Sequence, residues 1–470
     1  MEPQKTTKTL IQNRLRENAR KTSIKEGSAA SVMSGTGDNF ISAFAVALSK
    51  SMPGQSIYLA IMGSIASVFS PIAQQFGSRL MEKRSRRSIV VPLTLAQAFT
   101  WIPIAILALL AWQGILETYL PYLLVVFYGL YAIFGGLSGP AWFSWMGDIV
   151  DDKDRGRYFS KRNRIAGTIS LTTFLIAGYF LDIFKTHGLV FIGFAILFGI
   201  ASSARIVSHN YFKKQYEPEL KLKKEYYFSF WQFLKKYTNF TKFVIFQFLY
   251  HVVFMFASPF FTVYMLNELK YDYLTFTILV TSGTLFYLMF TPLVGKFSDK
   301  YGNKRLLYLG GVCYGISLIP WLFFTNVWVL IFSYQIISGL GTAAYSIGTS
   351  NYLYDTVTPQ RRGICVAYMN IGIGAGVFIG AMLGGWVLNN IHFTWINTFL
   401  LVFGISAVLR ILVPVIFIPR IKEVKPVANI PEFSFSVINP FTLLDTSIEW
   451  FREVITRHRV YLKKIVIRKK

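Results

Sequence analysis

Twelve long apolar stretches, separated by short polar breaks, set the pattern of this chain. They fall at 31–50, 56–78, 88–111, 120–147, 163–182, 187–207, 242–265, 272–295, 305–325, 327–351, 363–388 and 394–418. Each is long enough to cross roughly 30 Å of hydrocarbon as an α-helix. Runs such as 102–112 and 187–204 are apolar without alternation, unlike the alternating strands of roughly ten residues that build a membrane barrel. The pattern predicts an all-α membrane protein of twelve transmembrane helices.

Composition agrees. Of all residues 53% are hydrophobic and 15% charged, with a mean hydropathy of +0.44. A soluble domain carries about a quarter charged residues to face water, so most of this exterior faces something else.

The charges then orient the spans. With a cytoplasmic N-terminus, 45 of the 48 lysines and arginines fall on inward loops and termini, leaving Lys50, Lys185 and Lys270 outside. Basic residues near span ends resist translocation, so the chain is expected to be multi-pass in the cell membrane with both termini cytoplasmic. Anionic lipid at the cytoplasmic face accounts for the net charge of +25. Without a recognisable nucleic-acid module, no nucleic-acid partner is expected. The first thirty residues are polar and basic, so span one is expected to act as an uncleaved insertion signal. Cys313 and Cys365 lie in or beside spans without a spacing motif, which points to neither a disulfide framework nor a zinc site.

The spans divide six and six. Residues 148–178 (DIVDDKDRGRYFSKRNRIAGTISLTTFLIAG) and 355–385 (DTVTPQRRGICVAYMNIGIGAGVFIGAMLGG) align without a gap at an offset of 207. Asp148, Arg155, Gly156, Asn163, Gly167 and Gly178 fall on Asp355, Arg362, Gly363, Asn370, Gly374 and Gly385. Identities among charged, amide and glycine positions do not follow from shared apolar composition, so the chain reads as a tandem repeat. The expected organisation is a basic N-terminal segment (1–30), a six-helix bundle (31–207), a cytoplasmic linker (208–241), a second bundle (242–418) and a basic tail (419–470). The linker's FSFWQFLKK could lie at the membrane interface. In the tail, Asp445 could cap an amphipathic helix through SIEWFREVITRHR; a solvated tail or a partner-binding segment is the alternative.

The loop between spans eight and nine, GKFSDKYGNKR from Gly295, combines a close-approach glycine, an anion at a helix end (Asp299), a turn glycine (Gly302) and the cations Lys304 and Arg305. It resembles the loop signature of the major facilitator superfamily, G-x-x-x-D-x-x-G-R/K-R/K, with Asn303 as an extra residue. The loop SRLMEKRSRR from Ser78 is a weaker copy, with Ser78 and Ser85 for the glycines and Glu82 for the aspartate. The segment SWMGDIVDDKDRGRYFSKRNRIAG resembles the form found in many poorly characterised prokaryotic members. The resemblance covers about residues 30–418. It implies two pseudo-symmetric six-helix bundles, spans 1, 4, 7 and 10 around a cavity, 2, 5, 8 and 11 at a moving interface, and 3, 6, 9 and 12 outside. It also implies alternating access without ATP.

On that scaffold the loop charges would form a cytoplasmic gate of Glu82, Asp148, Arg155, Arg162, Asp299, Arg305, Asp355 and Arg362. Asp299 would accept from Arg155 or Arg162, and Glu82 from Arg361 or Arg362; local ordering of the loops is the alternative. Within the spans, Asp38 beside Asn39 is costly at mid-depth and should face protein or a watered cavity, as a proton carrier, a partner for a substrate amine, or a satisfied packing residue. Gln247 and His251 are four apart on one helical face; His251 with Asp38 would make a proton route, and a hydrogen-bonded packing histidine is the alternative. Trp142, Trp145, Tyr345 and Asn351 are candidates for lining the inner half of the cavity, the alternative for the rings being that they merely anchor the interface. No metal-ligand grouping, acid/base cluster or nucleotide loop marks an enzyme, and no cofactor is expected. The leading expectation is a monomeric secondary transporter of a small solute, coupled to protons if Asp38 titrates. An uncoupled facilitator and a non-transporting receptor or assembly factor are the alternatives.

Overall fold

The computed structural model describes residues 2–50, 52–150, 155–218, 238–357, 362–391 and 396–424. Eleven helices among them are long and apolar enough to cross a membrane. They supply spans 2 to 6 as Gln55–Leu80, Arg86–Trp112, Leu120–Ile149, Arg155–Thr186 and Val190–Lys214. Spans 7 to 12 are Asn239–Glu268, Tyr273–Tyr301, Asn303–Phe323, Val327–Thr356, Arg362–Asn390 and Thr398–Arg420. Span 1 is the helix Glu2–Thr36, interrupted by the 3-10 turn Asp38–Phe40 and resumed as Ile41–Leu48. The twelve form two pseudo-symmetric six-helix bundles. Phe143 and Phe323, each 73% exposed, are typical of the apolar side chains that cover the outside; a surface of this kind suits lipid.

Span 1 starts well before the expected residue 31. Its polar first half is helical because it packs: Ala19 and Ser23 are buried, Arg20 Nε donates to the Ile149 carbonyl and the Tyr158 hydroxyl donates to that of Arg20. The linker portion FSFWQFLKK and the tail helix from Asp445 lie outside the described residues.

The 207-residue repeat is visible in the bonding at the ends that carry the basic loops, the basic face. Trp145 Nε1 donates to the Tyr216 carbonyl at 2.9 Å, and at the corresponding place the Tyr352 hydroxyl donates to the Lys422 carbonyl at 2.8 Å. Glu217 accepts from the Arg86 amide at 2.8 Å, and Glu423 from the Lys304 amide at 2.7 Å. A carboxylate at a helix N-terminus satisfies free amides and the positive end of the helix dipole. Each bundle thus folds the chain leaving its last span back over the start of its third.

These bonds revise two expectations. Arg86, fully buried, donates to Asp148 at 2.5 Å and to Ser144; at the matching position Asn303 donates to Asp355 at 2.6 Å. Asn303 is therefore no extra residue, and follows Gly302 as Arg86 follows Ser85. Gly302 has φ +88°, a conformation that only glycine adopts cheaply. Asp148 and Asp355, expected at a gate between bundles, each bind within their own bundle.

The core shows how the bundles meet. At the face opposite the basic loops, the far face, one apolar cluster joins both bundles, running from Phe40, Phe44 and Phe174 to Phe256, Phe276 and Phe403. Toward the basic face the clusters are separate, one around Trp145 and Phe212, another around Tyr250 and Tyr352, a third around Leu306. Across the junction span 2 packs along span 11 and span 5 along span 8. The bundles share one apolar core at the far face, whereas among the described residues the clusters toward the basic face each stay within one bundle.

Candidate functional site

Between the bundles lies a cavity of about 420 Å³, a size suited to a small solute. Span 1 lines it with Asp38, Asn39 and Ser42; span 7 with Phe254, Ser258 and Phe261; spans 9, 10 and 12 with Tyr314, Trp321, Gln335 and Arg410. Spans 9 and 12, expected outside, both reach it.

Asp38 is set by the 3-10 turn that breaks span 1. Its Oδ2 accepts from the Tyr131 hydroxyl at 3.0 Å, whereas Oδ1 is buried without a partner. From here a chain of polar contacts runs toward the basic face. Gln97 Nε2 donates to the Tyr131 carbonyl at 3.3 Å, and Arg205 donates to Gln97 Oε1. Arg205 Nη1 donates to Ser208 at 3.2 Å, and Ser208 donates to Glu26 Oε1 at 2.9 Å. Arg162 Nη2 donates to Glu26 Oε2 at 2.9 Å. Glu26 is 2% exposed, a charge that can persist there only because it is paired and hydrogen-bonded.

The remaining expected residues fall elsewhere. Gln247 is fully buried between Tyr345, whose hydroxyl donates to it, and Thr349, to which it donates at 2.9 Å. His251 Nδ1 pairs with the Gln247 carbonyl at 2.7 Å. His251 and Asp38 belong to different bundles, and no hydrogen bond or ion pair joins them directly among the described residues. Tyr345 stacks on Tyr250 with centroids 4.7 Å apart. Trp145 is a buried anchor for the Tyr216 carbonyl rather than a cavity wall, and Asn351 donates to Ser298 at 3.1 Å. Trp142 carries the Arg162 guanidinium 5.1 Å above its ring.

Of the expected gate, Arg162 pairs with Glu26, and Arg305 donates to the Tyr301 carbonyl at 3.5 Å. Glu82 is exposed on its loop. The side chains of Arg155, Asp299 and Arg362 lie outside the described residues.

Four site residues escape a reading by span pattern. Glu26 sits in a segment expected outside the bundle. Arg205 and Arg410, counted above with the inward loops, are on spans 6 and 12 inside the bundles. The fourth, Asp182 on span 5, reaches across the junction at the far face. Its two carboxylate oxygens accept from the amides of Tyr273 and Leu274, each at 2.7 Å, at the start of span 8. Nearby, the Lys185 ammonium lies 5.4 Å from the Tyr273 ring centroid. A neighbouring close approach explains a repeated glycine. A Cβ added at Gly178 would lie 2.6 Å from Thr277 Oγ1, and one at the repeat-related Gly385 2.9 Å from the Ser56 carbonyl.

Two matching helical bundles that enclose a cavity with both polar and apolar walls and meet at one face define the architecture of a secondary transporter. The chain belongs to the Major Facilitator Superfamily, whose description matches residues 27–258 and 243–462. Over 152 residues it is 28% identical to the vacuolar basic amino acid transporter 2 of Saccharomyces cerevisiae, covering 32% of this chain and 30% of the relative. The chain thus matches less than a third of that relative's length. Its fold is similar to an auto-inhibited POT family peptide transporter (TM-score 0.67, 13% identity, 88% of this chain and 99% of the other). It is also similar to the nucleoside transporter NupG (TM-score 0.57, 13% identity, 86% and 99%).

Proposed function

We propose that the chain is a secondary active transporter that carries a small solute across the cytoplasmic membrane by alternating access, coupled to protons. The halves 31–207 and 242–418 are its moving bodies, the basic face is cytoplasmic, and the arrangement described is open to the cytoplasm. The observation that carries this reading is Asp38: a carboxylate in the cavity wall, with one oxygen bonded to Tyr131 and the other unpartnered. A group in that position can take a proton or a solute donor and change its bonding as the bundles move.

Charge supports the sidedness, since basic residues concentrate on one set of loops, and the same charge suits anionic lipid there. Closure at the cytoplasmic face would bring Glu82, Asp299, Arg155, Arg305 and Arg362 toward one another as the loops approach. Any part taken by Arg162 would have to draw it from Glu26. The chain is expected to work as a monomer, because cavity and junction are complete within one copy.

The test is a solute screen in proteoliposomes, with and without an imposed pH gradient, repeated with Asp38→Asn. Accumulation driven by the gradient in the parent, reduced to equilibration in the variant, is expected. A variant that still accumulates removes Asp38 as carrier. A parent that only equilibrates makes the chain a facilitator, and one that moves nothing favours a receptor.

A further inference from the structure

Spans 6 and 12 repeat one another around an arginine. FGIASSAR from Phe198 and FGISAVLR from Phe403 place Phe198, Gly199, Ile200 and Arg205 on Phe403, Gly404, Ile405 and Arg410, at an offset of 205. Spans 1 and 7 also correspond, the 3-10 turn Asp38–Phe40 matching Ser258–Phe260 at an offset of 220. Each bundle therefore holds an arginine from its last span near the broken helix of its first.

The charge around the two arginines differs. Arg205 has Glu26 Oε1 at 3.9 Å and is linked to Asp38 through Gln97 and Tyr131. In the second bundle the offset of 220 puts Phe246 where Glu26 stands and Ser258 where Asp38 stands, so both carboxylates are missing. Arg410 Nη2 donates to the Phe254 carbonyl at 2.6 Å and to Ser258 at 3.1 Å, and the guanidinium lies 4.2 Å above the Phe254 ring. Its Nε is buried without a partner. Among the described residues no carboxylate pairs with it. Arg410 is 3% exposed in the middle of span 12, where a guanidinium held only by neutral groups is costly and marks a ligand path.

Arg410 lines the cavity from the side opposite Asp38, as does Trp321, whose Nε1 is likewise unpartnered. The wall from the second bundle thus holds two buried N–H groups without partners, one of them cationic, and the wall from the first a buried carboxylate oxygen without one. Phe261, Met265, Phe276 and Leu279 supply apolar surface between them.

We propose that Arg410 is the anion-binding residue of this cavity and that the solute is an amphipathic organic anion. Its carboxylate, sulfonate or phosphate supplies the acidic partner that the second bundle lacks. This inference rests on the transport reading above. A solute that also carries an ammonium group satisfies Asp38 at its other end, whereas a purely cationic one meets an uncompensated guanidinium.

The test uses the full chain in lipid nanodiscs and three radiolabelled probes that share a phenylpropyl body: the sulfonate, the sulfonamide and the ammonium. The parent should bind the sulfonate about tenfold or more tightly than the neutral sulfonamide, the scale of a buried charge-assisted contact. Arg410→Gln should bring that ratio close to one, while Arg410→Lys should keep part of it. The ratio is taken within one preparation, so a smaller folded fraction does not alter it. Preference of the parent for the sulfonamide or the ammonium, no binding of the sulfonate at millimolar concentration, or a ratio unchanged in Arg410→Gln overturns the proposal. Failure of the transport reading itself would appear separately, as the absence of gradient-driven flux in the solute screen.

Discussion

Asp182 offers the most direct way to disturb the closed far face. It is the carboxylate of one bundle bound to the first free amides of a helix in the other, two contacts of 2.7 Å each. A hydrogen bond to a charged group contributes about 1.5–3 kcal/mol, and the helix terminus adds roughly 0.3–1 kcal/mol for a nearby anion. Asp182 is only partly buried, so solvent screens the pair and water replaces some of the lost bonding. We take about 2 kcal/mol as the net contribution, which corresponds to a shift of roughly 30-fold in the balance between far-closed and far-open states. Asp182→Asn keeps one acceptor oxygen and loses the charge; Asp182→Ala loses both contacts. Spin labels on introduced cysteines at Tyr119 and Phe324, exposed near the far ends of the two bundles, would report the distance between them by pulsed electron resonance. The native Cys313 and Cys365 are buried and stay unlabelled. The long-distance population should grow from parent to Asp182→Asn to Asp182→Ala. Identical distance distributions in all three would show that the carboxylate does not hold the far face shut.

Two further outcomes follow from the packing. Glu26→Gln strands the Arg162 and Arg205 guanidinium groups beside a neutral amide; breaking a buried pair costs about 3–5 kcal/mol, so the melting temperature in detergent should fall by several degrees, and Glu26→Asp should recover part of the loss. Gly385→Leu places a side chain against the Ser56 carbonyl, which should prop spans 2 and 11 apart; cysteine accessibility at the far end should rise while Gly372→Leu, whose added Cβ would meet only the Val244 side chain at 3.5 Å, should leave it unchanged.

Much of the fold was legible in the pattern because a bilayer constrains it so strongly. A backbone in hydrocarbon must bond within itself, so an uninterrupted apolar run of sufficient length has to be a helix. The repeat was legible for a related reason. Gly178 and Gly385 recur because two helices must approach closely at each position, and Asp148 and Asp355 recur because each binds the start of its bundle's third span. The gate was less legible. Loop charges have many partners within reach, and Arg162 took Glu26, a residue that the polarity of its segment had placed outside the bundle.

By itself the sequence determined twelve spans, their division into two related halves and the side on which basic charge gathers, because these depend on local composition and period. Only the tertiary structure decided which buried charges meet. Asp38 with Tyr131, Asp182 with span 8, and Arg410 without a carboxylate are set by helix rotation and by contacts between residues nearly a hundred or more positions apart in the chain. The FGI and arginine repeat at Phe198 and Phe403 was present in the sequence all along. Its meaning came from the partners around each arginine, which no linear pattern records.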